Sequence, residues 1–495
     1  MNNKNFKFIF IFSLLVIFSF PLFQMIKCSG YLFYENAFDE TSYLQYDFAK
    51  QSAGLNRLSQ YIVVLLHHLG LSGGYINLFF DFFIVITTVM LLRSILIKFK
   101  FTEKDANLIS YVTFFAPIVF NDFNPVLSKL THLNITSGFI YWFSMPEAIF
   151  LPVLRTPEPQ FSFLLVLLSI YLFRLTGNFL FLFLFLPFMY PFISIPVTFL
   201  VIGYFIFYKF NYVSRYKMTF SFAASFIIVG VLLRIYYYLL LDGPTKSYCV
   251  NSYLPFISFS FFISCIFLFL LKNFENLEIN PAHLFILALS CLVSINFQTI
   301  SGYFSNPNSF EQYYGVCVIS FIMAIFMSKI KSGYKNLMLI FIIVVLCLNT
   351  FKFFKVNYRV VNKIKFNQSL LDIIKSSPER LLINDVLASD YISLIFPFQK
   401  HTAMAYIQTY SLFSKQNYPH YCRLKEKILN SPYARDYATA ISTLDGAYKY
   451  GHSDYILLHN GRKNRIEVNY GTGEANIMLP LYLYNVDKGT ICVEL

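Results

Sequence analysis

Charge is scarce in this chain: Asp, Glu, Lys and Arg make up 13% of its 495 residues, while 57% are hydrophobic, 20% are aromatic and mean hydropathy is +0.56. A soluble domain carries about a quarter charged residues. That shortage, with repeated apolar runs near spanning length, excludes a soluble protein and predicts a polytopic membrane protein. Trp occurs once against 60 Phe and 37 Tyr, so the aromatic belts at the membrane interfaces fall to Tyr and Phe. The eight Cys show no metal-ligand spacing. Cys265, Cys291, Cys317 and Cys347 lie inside apolar runs and read as small core residues, whereas Cys422 and Cys492 fall in the polar C-terminal part, where a disulfide between them is open. Internal repeats and low-complexity linkers are absent, which excludes solenoid architectures.

The formal charge of +13 does not indicate nucleic acid, because Lys and Arg are scattered between apolar segments. They read as orientation signals and contacts to anionic membrane lipids. A composition rich in Lys, Asn, Ile and Phe fits an AT-rich bacterial genome, and hence a multi-pass protein of the bacterial inner membrane.

Along the chain, Lys4 and Lys7 precede an apolar run from Phe8 to about Met25 that lacks a small-residue cleavage site, so it predicts an uncleaved first helix with a cytoplasmic N-terminus. The run 60–69 is too short to span, and its His67-His68 pair reads as interfacial rather than metal-binding. Spans are expected at 75–97 and 107–121, with Arg93, Lys98, Lys100 and Lys104 marking the cytoplasmic side between them. Residues 122–159, rich in Pro, predict a long outer loop with short interfacial helices. Three shortish helices between 161 and 207 lead to Lys209, Arg215 and Lys217, and further spans are expected at 218–241, 253–271, 282–297, 313–329 and 335–353. The sum of eleven puts the C-terminus outside. The fold class expected is therefore an all-α membrane domain over 1–354, with outer loops 27–74 and 122–159, followed by a small extracytoplasmic α/β domain over 355–495. In that domain 381–384 and 454–458 predict strands and 436–450 an amphipathic helix.

Three polar stretches fall on the expected outer side. Tyr34 to Asp47 holds Glu35, Asp39, Glu40 and Asp47 directly after the first apolar segment. Arg155-Thr-Pro-Glu158-Pro-Gln160-Phe-Ser162 precedes a helix, and Asn296-Phe-Gln298-Thr-Ile-Ser301-Gly302 leads to Glu311-Gln312-Tyr313. Each has a bland reading: a hydrated loop for the acids, a headgroup anchor for Arg155, and a turn with positive φ for Gly302. Chemistry on a lipid-phosphate donor needs a carboxylate to take a proton from the acceptor hydroxyl and a cation to hold the departing phosphate. Asp39 or Glu40 supplies the first. Arg155 supplies the second, because a guanidinium forks onto phosphate oxygens.

An outer acidic pair after helix one, many irregular helices and an extracytoplasmic C-terminal domain together resemble the C-superfamily of glycosyltransferases. Arg155-x-Pro-x-Pro-Gln160-x-Ser162 and Asn296-x-Gln298-x-Ile300-Ser301-Gly302 are similar to elements of bacterial membrane proteins of that superfamily. The resemblance implies transfer of a hexose or pentose from a polyprenyl-phosphate donor to a glycan, lipid or protein acceptor, with inversion. It implies Asp39 or Glu40 as the catalytic base, with a divalent cation admitted beside it as the one cofactor. Glu35, Arg155, Glu158, Gln160, Gln298, Gly302 and Glu311 are then expected at the substrate. The superfamily pattern places a His some residues after Gly302, where this chain has Phe310-Glu311-Gln312-Tyr313. Two other functions stay open: a surface-polysaccharide polymerase or ligase, and a flippase or transporter of lipid-linked saccharide. The last should place charge at mid-membrane depth.

Overall fold

The computed structural model describes residues 3–27, 43–44, 58–120, 143–144, 151–209, 228, 257–274, 277–297, 307–363 and six short strands beyond 380. Expectations for 28–42, most of 122–150, 218–227, 229–241, 298–306 and 436–450 lie outside these residues. The chain forms two units, one of 1–20, 52–62 and 77–352 and the other of 21–51, 63–76 and 353–495.

The first unit is helical. Its helices start where the sequence supplies caps. Thr102 accepts the amide of Asp105 at 3.2 Å ahead of Glu103–Phe115, Ser258 accepts that of Phe261 at 3.0 Å ahead of Phe259–Leu271, and Asn280 accepts that of Ala282 at 2.9 Å ahead of Pro281–Ile295. Each cap satisfies an amide that the first turn leaves without a partner. Gly177 ends Gln160–Thr176 at φ 70°, a left-handed cap that glycine adopts without a Cβ clash.

Among the described residues three helices are long and apolar enough to cross a membrane: Gly73–Lys98, Glu311–Lys329 and Ser332–Phe351. They match the expected spans at 75–97, 313–329 and 335–353. The expected spans near 161–207, 253–271 and 282–297 appear as shorter apolar helices, Gln160–Thr176, Pro191–Tyr204, Phe259–Leu271 and Pro281–Ile295. The expected third span is divided into Glu103–Phe115 and a short turn Pro117–Phe120. Pro117 lacks the amide needed to continue the ladder, which accounts for the break.

One large core joins these helices. Glu103–Phe115 packs along Val316–Lys329 and Val85–Lys98, and Phe259–Leu271 packs against Val316–Lys329 and Pro281–Ile295. Small polar side chains are absorbed within it by bonding their own helix backbone, as Ser110 does to Ala106 and Ser320 to Val316, or a neighbouring hydroxyl, as Ser13 does to Tyr111. The helix from Ser332 instead leaves Tyr334, Leu337, Phe341, Val344, Leu348 and Phe351 exposed at helical spacing, from 48% to 68%. A stripe that apolar is stable against lipid tails and costly in water.

The helices of this unit share a polarity. Lys98 lies 4.0 Å from the centre of the Tyr171 ring and Arg174 lies 5.1 Å from that of Phe99, while Arg93 pairs with Glu103 and Asn107. Lys329 pairs with Glu278 at 2.7 Å. The C-terminal ends of Gly73–Lys98, Gln160–Thr176 and Glu311–Lys329 thus carry the cations, where the helix dipole favours them.

In the second unit, Leu381–Ile383 and Tyr455–His459 are short strands. They belong to different sheets: Leu381–Ile383 lies between His401–Ala403, parallel, and Tyr482–Asn485, antiparallel, whereas Tyr455–His459 pairs with Arg465–Asn469.

Candidate functional site

Four of the expected substrate residues come into view, and three sit in one buried turn. Leu151 to Ser162 forms a short 3-10 turn and then the entry to Gln160–Thr176, with Arg155, Thr156, Glu158, Gln160 and Ser162 all at 0% exposure. Such burial is tolerated where most of the polar atoms find partners within the protein.

Its anchor was not anticipated. Asp81, also at 0% exposure, lies in a single π-helical stretch, Phe80–Ile84, inside Gly73–Lys98. Its Oδ1 accepts the Thr156 hydroxyl and the Gln160 Nε2, each at 2.9 Å. The sequence disguised it, because Asp81 stands between Phe80 and Phe82 within an apolar run and reads as an isolated acid in a span. An extra residue in one helical turn, which π geometry accommodates, is frequent at functional sites.

Within the turn, Glu158 Oε2 accepts the Ser162 hydroxyl at 2.6 Å and its amide at 3.3 Å. The Ser162 Oγ in turn accepts the backbone amide of Tyr190 at 2.7 Å. Arg155 donates through Nη1 to the Glu158 carbonyl. Its guanidinium carbon lies 4.7 Å from the centre of the Tyr313 ring and 5.6 Å from that of Tyr190, and the two rings are 5.8 Å apart. A guanidinium in contact with two phenol rings keeps its charge in a dry setting through their negative faces.

Tyr313 brings in the fourth residue. It lies in a second π-helical stretch, Glu311–Gly315, at the start of the last-but-one span. Glu311 is bonded to the neighbouring helix start. Its Oε1 accepts the Ser258 hydroxyl, and its Oε2 accepts the Ser260 hydroxyl and the Ser260 amide at 3.0 Å. Glu311 therefore caps the neighbouring helix Phe259–Leu271 from outside, a carboxylate at a helix N-terminus. Ser258, Ser260, Tyr190 and Asp81 are the members of the site that sequence reading missed.

The start of Gln160–Thr176 thus meets the π-helical stretch Glu311–Gly315 through Arg155 and Tyr313, and that stretch meets the start of Phe259–Leu271 through Glu311. No family model matches the chain, and no curated protein or solved structure matches it. The site's reading therefore rests on its own chemistry. Glu35, Asp39, Glu40, Gln298 and Gly302 lie outside the described residues, and with them the expected base and any cation beside it. Among the described residues no group of three or more His, Cys, Asp or Glu is placed to hold a metal ion.

His67 and His68 separate clearly. His67 is buried and bonds two backbone carbonyls, Leu44 at 2.7 Å through Nε2 and Leu71 at 3.0 Å through Nδ1, while His68 is exposed. Burial pushes the pKa of His67 down from its ordinary 6.5, against the pull of the two carbonyls, with His68 adding to the fall.

Proposed function

We propose that this protein is an integral membrane glycosyltransferase that moves a sugar from a polyprenyl-phosphate donor to an acceptor on the extracytoplasmic face, with inversion. In this reading Asp39 or Glu40 takes the proton from the acceptor hydroxyl as it attacks the anomeric carbon, and the sugar–phosphate bond breaks. Arg155 holds the phosphate as charge builds on it. The proposal includes eleven spans, a cytoplasmic N-terminus, an extracytoplasmic α/β domain over 355–495 and a bacterial inner-membrane location.

The observation that carries the reading is Arg155, an ionised side chain at 0% exposure that lies against two tyrosine rings just ahead of the start of Gln160–Thr176. Burying a guanidinium is costly unless its charge is used or compensated, and the helix start just after it favours an anion beside it. The same geometry serves a polymerase or ligase of surface polysaccharide, whose two substrates both carry saccharide.

A second reading has an observation of its own. Asp81 is a buried acid inside a candidate span, the placement expected of a flippase or transporter of lipid-linked saccharide. The test that separates them is release of polyprenyl phosphate from a labelled polyprenyl-phosphate sugar by membranes containing the protein. A transferase releases it in an acceptor-dependent manner, and a flippase leaves the donor intact.

A further inference from the structure

We propose that Gln160 Oε1 accepts a hydroxyl of the transferred sugar and that Asp81 is the positioning residue that aims it, an inference that rests on the transferase reading above. The Gln160 amide has two faces, and Asp81 determines which one is available. A carboxylate only accepts hydrogen bonds, so the Nε2 that lies 2.9 Å from Asp81 Oδ1 is the donor end of the amide. The Thr156 hydroxyl holds the same oxygen from another direction at 2.9 Å, which keeps the carboxylate from turning away.

The other end, Oε1, is buried and accepts no hydrogen bond, in a side chain at 0% exposure. A buried amide oxygen in that condition requires a donor. An anion cannot provide it. The phosphate of the donor lipid therefore belongs with Arg155, and the group at Gln160 must carry a hydrogen to give. On a polyprenyl-phosphate sugar the sugar hydroxyls are the donors, and Arg155 and Gln160 belong to the same buried turn. The hydroxyl subsite then confers a preference for lipid phosphate bearing sugar over lipid phosphate alone, because only the former leaves no acceptor unmet.

The test is equilibrium binding by the full-length protein in lipid nanodiscs. The probes are bare polyprenyl phosphate and a panel of polyprenyl-phosphate hexoses and pentoses. The wild type should bind the best sugar-bearing lipid more tightly than the bare one. Gln160→Leu should reduce that preference by about tenfold, the scale of one hydrogen bond. Gln160→Glu provides the control that a loss of packing cannot imitate. At neutral pH its second oxygen faces Asp81 without a proton to donate, so the preference should fall. As the pH is lowered and that carboxyl protonates, its hydroxyl can donate to Asp81 and the preference should return. Equal binding of bare and sugar-bearing lipid by the wild type overturns this inference and leaves the lipid-phosphate site standing. Wild-type preference kept by Gln160→Leu, or an absence of pH-dependent recovery in Gln160→Glu, also overturns it. Binding of neither lipid overturns both this inference and the transferase reading.

Discussion

Gly315 and Ser260 meet so closely that a Cβ on the glycine would lie 2.2 Å from Ser260 Oγ and 2.9 Å from Glu311 Oε2. Both of those atoms are bonded to each other, so neither can move aside without breaking the cap on Phe259–Leu271. Gly315→Ala should therefore destabilise the protein by about 1–3 kcal/mol through overpacking. Thermal unfolding in detergent checks it, and an unchanged Tm would show that the two helices separate freely there.

Glu311 and Ser260 should couple. Ser260→Ala removes one of the two donors to Glu311 Oε2 and Glu311→Gln removes the charge that Ser258 and Ser260 donate to, so each single change should cost about 1–3 kcal/mol. The double variant should cost less than the sum by at least about 0.5 kcal/mol. Additive losses in a double-mutant cycle would mean that the carboxylate gains nothing from the serine.

The pH dependence of stability should carry a contribution from His67. Its folded pKa lies below 6.5, so between the two values the unfolded chain binds the extra proton. The contribution is then complete above 6.5 and is lost as pH falls through the folded value. Between about pH 8 and about pH 5, wild-type Tm should fall more than that of His67→Gln, which cannot take up the proton. Parallel curves would remove the assignment.

Topology is testable at the cation-bearing end. In a variant without native cysteines, a single Cys at Lys100, between Gly73–Lys98 and Glu103–Phe115, should react with an impermeant reagent only after the membrane is opened. Ready labelling of intact cells would reverse the proposed orientation.

The described spans were legible because their signal is additive: long apolar runs bounded by Lys98, Lys329 and Lys335 identify themselves regardless of tertiary contacts. Part of the site was legible for a different reason. Arg155, Glu158 and Gln160 stand out as polar residues among prolines directly ahead of an apolar helix, and Glu311 as an acid at the start of a span. Their partners were not legible, since nothing local marks Asp81 as the acceptor of groups up to 79 positions away. Nor does Ser258-Phe-Ser260 differ in sequence from many serines absorbed by their own helix, as Ser110 and Ser320 are. The burial of Arg155 was not legible either, because five prolines between 125 and 159 argue for irregular backbone but say nothing of where its side chains find partners.

The central claim is tested most directly by purified protein in liposomes with a labelled polyprenyl-phosphate sugar and an acceptor-containing membrane extract, following release of polyprenyl phosphate. Wild type should release it. Asp39→Asn should slow release by about 10²-fold or more while donor binding persists, with Glu40→Gln compared in case the base is its neighbour. Arg155→Lys should weaken donor binding together with turnover, because the charge remains but the fork is lost. Intact donor recovered after incubation with the wild type, or undiminished release by Arg155→Lys and by the Asp39 and Glu40 variants alike, would contradict the account.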